Sequence, residues 1–390
     1  MADSVEPDSP AAVRATRATF LILGIIAAAW APLVPFLKLR LALDDAELGL
    51  MLLCIGGGSL LSAPLAGWAT ARVGCRTLLL AVGAVYCVTL PALTVLPGVP
   101  ATAVALAVFG AALAAIDVAM NAQAVVVERA TGRAMMSGFH GLFSGGALVG
   151  ASLVSLALWF GITPLQATIA LSTVSAAILL SQAPGLLPRA GPATAGLAMP
   201  RGRLALIGVL CFLGFMAEGA VHDWTAVLLR FHRDADAATA GLAYAAFAVA
   251  MTFGRLTGDA VLRRLPAVMV LRWGALIAAA GFALMTGIPS IPAALLGCAL
   301  IGIGEANIVP ALFSAAARIR GVDPSHAIAA VAAPGYVGLL VGPAIIGLAA
   351  QATSLPVALG AAGLLLLAIT AFARIATAEE PDAAPHPDRH

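Results

Sequence analysis

The 390-residue chain is 61% hydrophobic and only 10% charged, with a formal net charge of +2 and a mean hydropathy of +1.02. Soluble domains carry roughly 25% charged residues, so this chain has too little polar surface to remain in water, and its small net charge gives no reason to expect nucleic acid as a partner. Five scattered cysteines (Cys54, Cys75, Cys87, Cys211, Cys298) form no Cys-x-x-Cys pair; they read as small hydrophobes and not as a metal or disulfide framework.

Residues 1–17 are polar and expected to be disordered and cytoplasmic. Arg14 and Arg17 before the apolar run Phe20 to Leu37 have the look of a signal peptide. The run is long for a signal core and further spans follow at once, so it is read as a retained first helix. Runs long enough to cross a ~30 Å hydrocarbon layer then lie near 18–39, 45–70, 77–96, 101–128, 134–160 and 164–187. A polar connector at 188–203 divides the chain, and a second set lies near 204–230, 238–262, 267–288, 292–318, 326–351 and 355–374, before a disordered tail at 377–390. The expectation is an all-α membrane protein of twelve transmembrane helices in two six-helix halves, 18–187 and 204–376.

Seventeen of the 21 basic residues fall on one side of this scheme, and only Lys38, Arg40, Arg230 and Arg233 fall on the other. Basic residues near short loops are retained in the cytoplasm, which places both termini and the connector there. The halves also echo each other: Ala46-Glu47-Leu48-Gly49-Leu50 opens the second helix and Ala238-Thr239-Ala240-Gly241-Leu242 the eighth, each after a charged turn. A repeat of six helices is the pattern of transporters whose halves rock about a site at their interface.

The segment after the second helix reads Gly67-Trp68-Ala69-Thr70-Ala71-Arg72-Val73-Gly74-Cys75-Arg76. It resembles the loop of the major facilitator superfamily that reads Gly, three residues, Asp, Arg, one residue, Gly and two basic residues, with Ala71 in place of the acid and Cys75 in place of one base. A related element, Gly254-Arg255-Leu256-Thr257-Gly258-Asp259 before Arg263-Arg264, stands in the second half. The resemblance covers roughly residues 18–376. Asp117 followed four residues later by Asn121 resembles the spacing in fucose-permease-type sugar:proton symporters, although the acid those carry in the first helix is missing here. The stretch Asp117 to Glu128, with Ser137, His140 and Gly145-Gly146, looks more like a bacterial inner-membrane subgroup of unassigned substrate. The resemblance implies that helices one, four, seven and ten line a central cavity.

Ionisable side chains near mid-membrane cost at least ~2.5–3.5 kcal/mol to insert, so each is a functional candidate. The third, sixth, ninth and twelfth helices hold none over 77–96, 164–187, 273–288 and 355–373, whereas Asp117 lies in the fourth, Glu218, His222 and Asp223 in the seventh, and Glu305 in the tenth. Asp117 stands about 12 residues before Arg129, or ~18 Å inside at 1.5 Å per residue, where a coupling proton would be held; a structural Asp bonded to a neighbouring helix is the alternative. Asp117, Glu218, Glu305 and His140 are the proton-coupling candidates. Asn121, Gln123, His222, Asp223, Trp224, Asn307, Trp30 and Tyr336 are the substrate-binding ones. Trp224 could equally anchor at the membrane interface, His140 could be a satisfied interhelical histidine, and Gly302-x-Gly304-Glu305-x-Asn307 before Pro310 could be a simple kink. Arg72, Arg76, Glu128, Arg129, Arg255 and Asp259 are expected to gate, with Arg255 and Asp259 one turn apart.

Gly141, Gly145, Gly146 and Gly150 enrich the fifth helix in glycine without the Gly-Pro of the family's antiporter signature, and Gly342-Pro343 falls in the eleventh instead. This favours uptake of a small organic solute by proton symport, with drug or metabolite efflux and a non-transporting sensor as alternatives. No His-Glu-x-x-His, metal-ligand cluster or Walker loop is present, so neither an enzyme, a metal site nor ATP-driven transport is expected. The only energy source implied is the proton gradient, without a cofactor; the expected partners are the solute and the lipid bilayer, and the chain is expected to be a monomer.

Overall fold

The computed structural model describes residues 5–133, 135–188, 201–319, 322 and 324–378, which leaves most of the connector and of the tail outside the described residues. Twelve helices are long and apolar enough to cross a membrane, and no strand occurs among the described residues. They are α1 (Pro10–Leu41), α2 (Asp45–Val73), α3 (Cys75–Ala92), α4 (Gly98–Thr131), α5 (Met136–Trp159) and α6 (Pro164–Ser181) in the first half. The second half holds α7 (Arg203–His232), α8 (Ala237–Arg264), α9 (Ala267–Gly287), α10 (Ile291–Ala317), α11 (Pro324–Ala352) and α12 (Leu355–Ala376).

One expectation is corrected at the start of the chain. Residues 10–17 are helical and not a disordered arm: Ser9 caps α1 by accepting from the Ala12 N–H (3.2 Å), and Pro10 opens the first turn, where its missing N–H costs nothing. The helix therefore extends beyond its apolar run. α1 tightens into a 3-10 turn at Ala31–Leu33, where Pro32 cannot donate to the helical ladder, and α10 breaks at Ala306 and Asn307, just ahead of Pro310.

Within the halves, helices approach through small residues, as expected where lipid offers no hydrophobic drive to associate. α2 and α4 touch at Gly58 against Ala107 and at Gly110 against Ile55, sites where an added Cβ would strike the partner's carbonyl. The halves meet through α2 against α11 and α5 against α8. Gly49 carries the first contact: a Cβ there would lie 2.9 Å from the Pro343 carbonyl and 3.0 Å from the Gly347 Cα. Its repeat partner Gly241 carries the second, against Ser155 and Pro32. Both contacts lie at the end of the bundle opposite the termini. Gly67, five helical turns after Gly49 and so on the same face at ~3.6 residues per turn, has nothing within 4 Å of an added Cβ. The halves are joined at one end and parted at the terminus-bearing end.

The joined end carries a polar fastening. Lys38 pairs with Asp45 and sits over the Phe231 ring of the other half (5.2 Å to its centre). Arg233 donates to the Met285 and Thr286 carbonyls at 3.2 and 3.1 Å, and Arg40 to those of Leu93 and Leu96, so the few basic residues at this end tie its loops down.

Candidate functional site

α7 and α8 bring the first charged pair together. Arg255 sits behind a three-turn rise from Tyr244, on the same face of α8, and its guanidinium meets Glu218 of α7 with both carboxylate oxygens at 3.4 Å. The pair is only partly covered, with side chains 37% and 26% exposed, so its strength is that of a screened ion pair. Arg255 was expected to pair with Asp259 as a gate. Its partner among the described residues is Glu218 of α7; the Asp259 side chain lies outside the described residues.

One turn above Glu218, the His222 Nδ1 lies 2.7 Å from Asp223 Oδ1, and the His222 ring packs edge-on against Tyr244 at 4.9 Å. Tyr244 is a site residue that the sequence reading missed, although its eleven-residue spacing from Arg255 on one helix was a legible signal. Glu305 ends the first segment of α10 and lies in the field of Glu218 and Arg255. It is 4% exposed, and neither carboxylate oxygen has a hydrogen-bond partner among the described residues.

α4 contributes Asp117, whose carboxylate accepts from the Asn121 amide at 3.1 Å while the same amide donates to the Asp117 carbonyl at 2.9 Å. Tyr336 of α11 is 51% exposed, stacks on Phe215 at 5.6 Å, and feels the charges of both Asp117 and Glu218. Asp117, Glu218, Glu305, Arg255 and Tyr336 thus share one electrostatic neighbourhood across the two halves. His140 of α5 is exposed, sits edge-on to Phe20 at 5.1 Å and lies in the field of Arg255, at the margin of that neighbourhood.

Several expected site residues are placed elsewhere. Gln123 is 1% exposed; its amide donates to Thr16 Oγ1 (2.9 Å) and its carbonyl accepts from the Leu187 N–H (3.1 Å), so it splices α4 to α1 and to the end of the first half. Trp224 and Trp30 are 0% and 1% exposed, which removes both as open stacking platforms and removes Trp224 as an interface anchor. Asn307 donates to the Gly254 carbonyl (3.1 Å) and locks the break of α10 onto α8.

Among the expected gates, Arg76 donates to the Leu186 and Pro184 carbonyls, each at 2.9 Å, and so fastens α3 to the end of its own half. Glu128 accepts from the Met135 and Met136 N–H groups at 2.6 and 2.7 Å, capping α5 instead of pairing with Arg129. Arg72 lies over its neighbour Trp68 at 5.1 Å, and Arg129 is exposed. No group of three or more His, Cys, Asp or Glu that could hold a metal occurs among the described residues.

Paired and unpaired carboxyls thus stand close together where two repeated halves meet. Residues 17–320 match the model of the Major Facilitator Superfamily. An uncharacterized MFS-type transporter of Yersinia pestis is 50% identical, the match covering 93% of this chain and 95% of the relative. The fold is also that of the nucleoside transporter NupG (TM-score 0.71, 14% identity, 95% and 100% of the two chains covered) and of a D-xylose-proton symporter (TM-score 0.70, 13% identity, 92% and 96% covered). On the family match and the close relative together, this multi-pass membrane protein belongs to the Major Facilitator Superfamily and is a transporter.

Proposed function

We propose that the protein takes up a small hydroxylated organic solute across the bacterial inner membrane by proton symport, with both termini in the cytoplasm. The orientation rests on the excess of basic residues that the sequence assigns to the terminus-bearing side. The solute class is supported by an amide, a phenol and carboxylates converging from Asn121, Tyr336, Asp117 and Glu218, and by the fold shared with transporters of a nucleoside and of D-xylose.

The observation that carries the coupling is Glu305, a buried carboxyl whose oxygens have no hydrogen-bond partner among the described residues, beside the Glu218–Arg255 pair. An ionised carboxylate without a donor or cation is expensive to bury, whereas the neutral acid is not. Proton exchange at Glu305 therefore depends on water or Arg255 reaching it, and both depend on how the halves stand. Asp117, held among the described residues by a neutral amide, offers a second such carboxyl from the other half.

Purified protein in liposomes tests this. The double variant Asp117→Asn/Glu305→Gln should lose accumulation of solute driven by a pH gradient and keep counterflow of preloaded solute, which also reports that it folds. Accumulation that survives in the double variant overturns the proton assignment. A solute pulse that draws protons in with it supports symport; protons moving the opposite way support efflux, and binding without flux supports a sensor.

A further inference from the structure

The terminus-bearing end holds a second polar feature, apart from the carboxyls of the proposed transport site. Arg14 and Arg17, one turn apart on α1, and Arg133, from the turn after α4, line one recess together with Val13 and Met135, and Asp8 is the acid on its wall. All three arginines are exposed, and none has an ion pair or a hydrogen-bond partner among the described residues. Glu128, five residues before Arg133, is turned into the cap of α5, where it accepts two backbone N–H groups.

The level of this recess matters. Arg17 and Arg14 precede the start of the apolar run at Phe20 by three and six residues, which at 1.5 Å per residue sets them about 5 to 9 Å outside the hydrocarbon. The headgroup layer of a bilayer occupies roughly that interval. Guanidinium forks match phosphate oxygens in pairs, and Val13 and Met135 supply an apolar flank for what lies below a phosphate.

We propose that Arg14, Arg17 and Arg133 form a binding site for the phosphate of an anionic phospholipid headgroup. That the recess faces the cytoplasmic leaflet rests on the orientation proposed above; the site itself does not rest on transport. A soluble phosphate has the same chemistry, so the test separates the two sources.

The full chain, purified in detergent, is mixed with phosphatidylglycerol, with phosphatidylcholine or with inorganic phosphate, and bound species are counted by native mass spectrometry. Phosphatidylglycerol should be retained well above phosphatidylcholine. Retention should fall about fivefold for each arginine removed, in Arg133→Gln alone and cumulatively in Arg14→Gln/Arg17→Gln/Arg133→Gln. Arg263→Gln/Arg264→Gln, which removes as much charge per residue from the other half, should leave retention unchanged. Equal retention of the two lipids, or a triple variant that holds phosphatidylglycerol as the parent does, overturns the site. Displacement of phosphatidylglycerol by millimolar inorganic phosphate overturns the assignment to lipid.

Discussion

The two halves share a scaffold but divide the polar work unevenly. In the first half the cavity receives one carboxyl, Asp117, tied to an amide on its own helix, and α4 is otherwise apolar there. In the second half Glu218 and Arg255 pair across two helices, His222 and Asp223 stand a turn away, and Glu305 lies buried behind them. A contact within one helix is indifferent to how helices move, whereas one between helices senses it. On the function proposed above, the first half holds the solute and the second registers which way the molecule faces.

Removing the cation is the severest test of that contrast. Arg255→Gln leaves Glu218 without its partner and Glu305 without a cation nearby, so both accumulation and counterflow should fall, by on the order of tenfold or more. Asn121→Ala, by comparison, removes only a neutral donor inside one helix and should weaken solute binding by about fivefold. Uptake assays at several solute concentrations separate the two. Equal losses would mean that the halves are not specialised.

A smaller effect is expected where the halves touch. Gly49→Ala forces a Cβ against the Pro343 carbonyl and the Gly347 Cα, an overpacking worth about 1–3 kcal/mol. It should shift the population toward the state opened at this end, as read by distances between spin labels on α2 and α11. Gly67→Ala, on the same face but in open space, should leave those distances unchanged. A shift from Gly67→Ala equal to that from Gly49→Ala would contradict the parting of the halves described here.

Much of this was legible in the chain itself, for reasons that also mark the limits. Twelve spans follow from hydropathy because lipid demands apolar runs of a set length, and the Asp117–Asn121 contact follows from a spacing of one turn. The repeat at Gly49 and Gly241 was visible, and the close approach explains why glycine stands at both. What stayed hidden depends on distant sequence. Glu218 and Arg255 lie 37 residues apart on different helices, so no local spacing announced their contact. Gln123 and Glu128 looked functional because polar residues in a span usually are, yet each satisfies backbone or side-chain groups that only the folded chain brings near. The helix at residues 10–17 was missed because hydropathy marks where the membrane ends, not where a capped helix begins.

The smallest effect tests the repeat itself. Asp44 and Asp236 occupy the same place ahead of α2 and α8, and both accept N–H groups of the first turn. Three residues on, the halves differ: Glu47 accepts from the Asp44 N–H at 3.0 Å, whereas Thr239 donates its hydroxyl to Asp236 at 2.7 Å. The Thr239 N–H and hydroxyl, with the Ala238 N–H, hold the Asp236 carboxyl below the usual carboxylate range. A carboxyl so depressed adds stability that is complete above its unfolded value of about 3.9 and is lost as the pH falls through the folded one. Asp236→Ala should therefore cost about 1 kcal/mol at pH 7, and the gap to the parent in thermal unfolding should close as the pH drops below about 4. A gap that stays constant with pH would mean that the capping hydroxyl and N–H groups contribute nothing through charge, and that the second half holds this turn by packing alone.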